Sequence, residues 1–307
     1  MVKSFDVCVL GAFGLDTYVY FHGGEVDFLR EGHFGENLDE VGLAGGYSSR
    51  IAAALGYRVC ALGYVGNDFA GRYVRDKLSS EGIDPSGLLV DPAGTKRSVN
   101  FMYSDGRRTN FYDGKGSMST HPDKERFLPM IAASRWVHVN IVNWTRELLD
   151  DVLRLGVPMS CDLQDWSDVN DPYRLDFLQK VDVLFFSGVH LEEPMEVLGA
   201  LSRRFPHKTL VCGMGKQGAA FAKGGACKSY PPASGPKPVV DTNGAGDALA
   251  VGFGSAHLLE GKSLSESLVF GQALARQLCS VRAGKGPFPP RNEVLPFVLP
   301  QNGKECL

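Results

Sequence analysis

Two periods of apolar residues divide this chain. Residues 7–10 are a short unbroken apolar run, as expected of a strand buried on both faces. Gly11-Ala12-Phe13-Gly14-Leu15-Asp16 follows, a glycine turn that delivers an acid where α/β sheets present ligands. Residues 17–21 alternate with a period of two and carry Tyr18 and Tyr20; the sequence to Glu40 is then polar and charged. Gly42 to Gly46 mark a second glycine turn, and residues 48–55 form an Ala-rich helix closed by Gly56. Residues 58–65 read as a strand. Gly66-Asn67-Asp68 reads as a turn and N-cap, and residues 69–80 as an amphipathic helix ended by Gly82. Residues 98–103 and 109–112 alternate around Ser104-Asp105-Gly106-Arg107-Arg108, a hairpin signal.

From Pro122 the periods interleave. Strands are expected at 136–142, 158–163, 181–186, 209–212 and 219–222, and helices at 122–133, 146–155, 191–204 and 263–283. Strand–helix alternation at this spacing predicts a doubly wound, mostly parallel α/β sheet with helices on both faces. All of residues 1–307 belong to one domain in this reading. The segments from about 17–41 and 98–112 break the alternation and are assigned together to a small β lid. The tail from Gly284 is Pro-rich and irregular.

The densest chemistry lies at residues 239–254. Val239 and Val240 read as a strand end, Gly244-Ala245-Gly246 as a turn, and the small apolar residues after it as a buried helix. Open amides and the dipole at such a helix start suit a phosphate or another developing anion. Asp247 in the first turn is placed to take a proton from a hydroxyl beside that anion. Asp162 and Asp165 sit at a strand's C-terminal end, where α/β sites gather, although each also reads as a turn cap. His138, inside a strand, reads as a core residue.

Composition narrows the function. The protein is 44% hydrophobic and 22% charged, with a net charge of −3 and no basic tract, which argues against nucleic acid and anionic membranes as partners. The longest apolar runs are too short to span a bilayer, and Met1-Val2-Lys3-Ser4-Phe5-Asp6 lacks a signal peptide's apolar segment. Seven cysteines without C-x-x-C spacing read as reduced thiols of a cytoplasmic protein, not a zinc site.

Asp241-Thr242-Asn243-Gly244-Ala245-Gly246-Asp247 and the helix after it resemble the C-terminal signature of the ribokinase (PfkB) family of carbohydrate and nucleoside kinases. Gly45-Gly46-Tyr47-Ser48-Ser49-Arg50-Ile51-Ala52 resembles the family's N-terminal signature, residues 63–71 its G-x-V-G-x-D-x-x-G, and Gly215-Lys216-Gln217-Gly218 its turn under the nucleotide phosphates. The resemblance implies ATP-dependent transfer of the γ-phosphoryl group to a hydroxyl of a small sugar-like substrate, with Mg²⁺ accompanying ATP. It implies Asp247 as catalytic base, and Gly244, Ala245 and Gly246 as the anion hole. Asp16, Gly45 and Gly46 would contact the substrate, Gly215 and Gly218 the nucleotide, and Asp241 a monovalent cation such as K⁺. An exposed lid edge offers a homodimer contact.

Three positions depart from the family pattern. Arg50 stands where Asn is usual: it is either a paired or solvated helix residue, or it points into the site and grips an anion, which implies a sugar acid or sugar phosphate. Ser187 and His190 occupy the slots of an Asn-x-x-Glu element near Mg²⁺ and phosphate; Ser187 is taken as a nucleotide contact. Gly213 replaces a hydroxyl residue. Two other functions remain: a nucleoside kinase, with Phe101, Phe111 or Trp166 as pocket walls, and a ligand-sensing relative without turnover.

Overall fold

The structure, a computed structural model, describes residues 3–22, 26–103, 108–166, 168–235, 237–283, 287–298 and the backbone of 304–305. The hairpin tip expected at 104–107 and the start of the tail at Gly284 lie outside the described residues.

β1 (Phe5–Leu10), β2 (Gly14–Phe21) and β3 (Gly35–Gly42) lead into α1 (Leu43–Ala54), β4 (Val59–Val65), α2 (Phe69–Ser80) and β5 (Asp84–Val90). β6 (Lys96–Met102) and β7 (Arg108–Asp113) precede α3 (Lys124–Ala132), β8 (Ser134–Asn140), α4 (Asn143–Arg146) and α5 (Leu149–Leu155). Then come β9 (Met159–Asp165), α6 (Pro172–Lys180), β10 (Val183–Ser187), α7 (Pro194–Arg204), β11 (Thr209–Gly213), β12 (Ala219–Lys223) and β13 (Ala226–Tyr230). α8 (Ala245–Gly254), α9 (Leu264–Leu278), α10 (Arg291–Val294) and β14 (Lys304–Glu305) complete the chain.

The main sheet runs β14-β13-β12-β11-β10-β9-β8-β1-β4-β5. It is parallel from β11 to β5, and β12, β13 and β14 add antiparallel at one edge. Within β1, Val7 and Val9 join the core under α1, α8 and α9, while Cys8 and Leu10 join the one under α3, α5, α6 and α7. This is why the strand reads as continuously apolar, and it makes the sheet doubly wound. A second sheet, β3-β2-β6-β7, stands apart from the first.

The helix expected at 69–80 has those bounds, with the Asp68 side chain accepting from Gly71 N and Gly82 at φ 78° after it. Other boundaries move. α1 starts at Leu43, five residues before the expected start, so Gly45 and Gly46 lie in its first turn. α9 stops at Leu278. Val239 and Val240 are in no strand: they lie 55% and 46% exposed, and only Val240 N–H ties back, to Cys279 O at 2.8 Å. β5, α6 and β13 have no counterpart in the sequence reading. β5 opens Asp84-Pro85-Ser86-Gly87, turn chemistry that is tolerated because it is the sheet's edge strand.

Candidate active site

The C-terminal ends of the central parallel strands meet the start of α8 and one face of the small sheet. Gly244 caps α8 at φ 74° without a side-chain hydrogen bond. A β-carbon there would be strained by the left-handed backbone and would lie 2.4 Å from Tyr47 Cδ1. With no side chain over the first turn, its amides stay open to a ligand. Ala245 is the exception, since its N–H donates to Thr242 O at 3.2 Å. The expected anion hole therefore loses Ala245. Among the described residues, no backbone acceptor outside the helix meets the N–H of Gly246 or Asp247.

Asp247 lies in that first turn, and its Oδ1 accepts a hydrogen bond from Ser48 Oγ at 3.1 Å. Burial, then the charge of Asp162, pushes its pKa well above the usual carboxylate range; the Ser48 bond and the charge of Arg108 oppose this. Asp162, buried on β9, is pushed up to about 6, chiefly by burial. Two residues after it Gln164 holds φ 59°, and its N–H donates to Asp162 Oδ1 at 2.9 Å.

Asp16 on β2 faces the same space. Its Oδ2 accepts from Tyr18 Oη at 3.0 Å and from Leu43 N at 3.3 Å, while Oδ1 is buried without a partner. Burial raises its pKa to about 6, and the charge of Arg108 works against the rise. A β-carbon at Gly42 would lie 2.1 Å from Asp16 Oδ2, so glycine gives the carboxylate its seat. Asp16 is opposite Ser98 in the small sheet, and Asn100 is opposite Asn110. Asn110 Nδ2 donates to Asn100 Oδ1 at 3.0 Å and to Ser98 Oγ. Arg108 at the start of β7 donates to Asn243 Oδ1, which joins the small sheet to the turn before α8. One carboxylate and several amide and hydroxyl groups thus line one face.

On the other side of α8, Ser187 ends β10 between Gly213 and Asp165. Gly215 holds φ 56°, and a β-carbon on it would touch Val189 at 3.4 Å; Gly218 holds φ 97° with Tyr230 O in the way of any side chain. Ser187, Gly215 and Gly218 therefore share one glycine-lined edge. His190, 70% exposed, stands 4.0 Å from Asp165.

Several expectations need correction. Arg50 is not free to grip a substrate anion. It is 3% exposed; Nε and Nη2 both donate to the Glu81 carboxylate at 2.7 Å, Nη1 donates to Val41 O at 2.9 Å, and Glu40 lies 3.3 Å away. Its guanidinium also lies over the Phe288 ring, at 4.7 Å from the centroid. Asp241 does not fit a cation: Oδ1 accepts from Asn243 N and Nδ2, and Oδ2 from Tyr20 Oη and Ala283 N, all within 3.0 Å. Four donors aimed at one carboxylate place positive dipole ends where a cation would sit. Gly45 gives its N–H to Ala12 O at 2.8 Å and packs against Phe13, and Gly46 is buried beside Val41; both serve close helix packing. Trp166 is buried edge-on to Phe186, and Phe101 and Phe111 pair on the opposite face of the small sheet from Asp16, so these three build no nucleoside wall.

Ser48 and Asn140 went unrecognised in the sequence. Asn140 had a usable signal, a polar residue closing an apolar parallel strand. Ser48 had none, because its partner is 199 residues away.

Comparison with known proteins agrees with this geometry. The sequence model described as pfkB family carbohydrate kinase matches residues 41–155 and 164–290. The acarbose 7(IV)-phosphotransferase of Actinoplanes sp. is 29% identical over 297 residues, covering 92% of this chain and 95% of that protein. A fructokinase of Klebsiella pneumoniae is 30% identical over 251 residues, covering 74% and 80%. Among solved structures, a microbiome-derived acarbose kinase superposes with a TM-score of 0.86 at 28% identity, over 96% of this chain and 99% of that one. Arabidopsis thaliana ribokinase complexed with ribose and ATP superposes with a TM-score of 0.78 at 23% identity, over 97% and 99%.

Proposed function

The chain belongs to the PfkB family of carbohydrate kinases, and on that premise we propose that it phosphorylates a hydroxyl of a neutral sugar or oligosaccharide held against Asp16. The observation that carries this is the wall of the small sheet: Asp16, Ser98, Asn100 and Asn110 offer acceptors and donors to hydroxyls, while Arg50 is consumed by Glu81. Asp16 Oδ1, buried without a partner, is the acceptor awaiting such a hydroxyl. The two acarbose-phosphorylating relatives favour a substrate larger than a monosaccharide.

In this reading Asp247 takes the proton of the attacking hydroxyl, a role worth about 10²–10⁴ in rate. The open amide of Gly246 holds the charge of the transferring phosphoryl group, worth about 10²–10³ in comparable sites, while the Asp247 N–H turns to its own carboxylate. Phosphoryl transfer asks little more of a protein than position and charge. ATP lies along the edge of Ser187, Gly215 and Gly218. Mg²⁺ bound with ATP would supply positive charge to the phosphates. Asp165, beside Ser187 and exposed, is the carboxylate that would be open to it. The small sheet, including the strands of 17–41 and 98–112, serves as the lid that keeps water from ATP. Its outward face bears Phe28 and Phe111, 72% and 51% exposed, which a second copy would cover in a homodimer. The buried free thiols suit a reducing cytoplasm.

The test is ADP release with ATP and Mg²⁺ across acarbose, maltose, fructose, ribose, 2-dehydro-3-deoxygluconate, fructose 6-phosphate and adenosine. Turnover is expected on a neutral sugar and lost in Asp247→Asn. A sugar acid, sugar phosphate or nucleoside as best substrate overturns the neutral-sugar reading, and an active Asp247→Asn overturns the assignment of the base.

A further inference from the structure

Behind Asp247 a line of polar side chains runs through the core. Ser48 Oγ donates to Asp247 Oδ1 at 3.1 Å, and Asn140 Nδ2 lies 3.4 Å from Ser48 Oγ and 3.5 Å from His138 Nε2. His138 Nδ1 lies 2.8 Å from Ser160 Oγ, which also receives Trp136 Nε1–H at 3.0 Å. Ser48, Asn140, His138, Ser160 and Trp136 are each at most 1% exposed. Five polar side chains on α1, β8 and β9 are thus withdrawn from water and joined end to end. Asn140 Oδ1 is buried without a partner, so the chain is satisfied except at that atom; burying a polar chain is costly unless its members pair, so its course carries information.

The chain has one direction. Burial pushes His138 down to about 3, so the ring is neutral. Asn140 Nδ2 only donates, so His138 Nε2 is the bare nitrogen and Nδ1 carries the proton toward Ser160. The second Asn140 N–H goes to Ser48 Oγ, which leaves the one Ser48 proton to Asp247. A reversed amide would set Asn140 Oδ1 against Ser48 Oγ, two acceptors facing each other whenever Ser48 serves an ionised Asp247. Gly11 leaves the room that the Asn140 amide fills: a β-carbon on it would lie 2.2 Å from Asn140 Oδ1.

We infer that Ser48, oriented by Asn140 and His138, is a positioning residue that holds the Asp247 carboxylate turned toward its substrate and favours its ionised form. The inference rests on the role proposed for Asp247. The other charged or titratable groups that act on Asp247 or feel its charge are Asp162 from β9, Arg108 from β7 and Tyr47 from α1; of these Asp162 opposes ionisation and Arg108 favours it. Ser48 is the neutral donor in this set, and it acts by direct contact.

The test is carbon NMR titration of full-length protein labelled at the aspartate carboxyl carbon, with the Asp247 resonance identified by its loss in Asp247→Asn. Ser48→Ala is expected to raise the Asp247 midpoint by about one pH unit, the size of one hydrogen bond to a charged group. Asn140→Leu should raise it by less, and the double variant by no more than Ser48→Ala alone, because the two act in series. Ser48→Cys, nearly isosteric and a weak donor, should give the same direction and serves if the alanine variant fails to fold. An unmoved midpoint in a folded Ser48 variant, or a double variant equal to the sum of the singles, overturns the inference. Turnover of Asp247→Asn on the sugar panel is read separately, so a failure of the assigned base and a failure of this chain are distinguishable.

Discussion

The charge of Asp162 holds the proton on Asp247 to higher pH than burial alone would. Two neighbouring buried carboxylates, Asp162 on β9 and Asp247 on α8, resist being ionised together. Asp162→Asn removes that repulsion, so the folded-state pKa of Asp247 falls. The acid limb of the kcat–pH profile is therefore expected to move to lower pH, by roughly half a unit to one unit. An acid limb that stays in place or moves upward in Asp162→Asn would show that the two carboxylates are not linked.

Asp16 should govern the affinity for the sugar. Its folded pKa is about 6, so it binds a proton as pH falls through that value and loses an acceptor for substrate hydroxyls. KM for the sugar is expected to rise below about pH 6 while KM for ATP stays flat. Asp16→Asn should lower kcat/KM by about 10–100-fold, as loss of a charge-assisted hydrogen bond does, and remove that pH dependence. Parallel rises of both KM values would point to general unfolding instead.

Arg50→Asn should cost stability and leave substrate choice alone. It strands Glu81 and Glu40, and because Glu81 is 27% exposed the loss is expected at roughly 2–3 kcal/mol, below the ~3–5 of a fully buried pair. A fall of about 5 °C or more in Tm, with the order of preferred sugars unchanged, is the expected result. A changed preference among neutral and acidic sugars at unchanged Tm would return Arg50 to the site.

Gly244→Ala tests the turn before α8. The left-handed backbone costs a β-carbon about 1–2 kcal/mol, and the Tyr47 ring stands in its way. Displacing the α8 amides by even about 1 Å is expected to lower kcat on the order of 10²-fold. The loss should fall on kcat more than on either KM; an unchanged kcat would mean that the amides of this turn carry no charge in the reaction.

Local chemistry was the legible part of the sequence. Asp68 and Gly82 bracket α2 because a capping side chain and a left-handed glycine act within a few residues of the helix they end. The glycine turn at Gly244 and the place of Asp247 in the first turn of α8 were legible for the same reason. What escaped was set by partners distant in sequence. The Arg50 partner, Glu81, lies 31 residues on at the end of another helix, and the chain behind Asp247 takes members from α1, β8 and β9. Asp241 misled in the opposite way: its motif is intact, but Tyr20 from the small sheet and Ala283 after α9 fill its carboxylate. β5 was hidden because pairing with β4 overrode residues that favour a turn.

α8 lies so close to its neighbours that a β-carbon on Gly252 would come within 2.8 Å of Gly271 Cα, and one on Gly254 within 2.5 Å of the Trp136 ring. Six residues separate Gly252 from Gly246, about 9 Å along a stiff rod. A bulky residue at this seam has nowhere to go except by sliding the whole rod, and its N-terminus with it. In a random mutagenesis screen for lost turnover, inactive but well-expressed clones should therefore cluster at this glycine seam as well as around the reactive groups. To a geneticist the enzyme would present two hot regions, although the chemistry occupies only one.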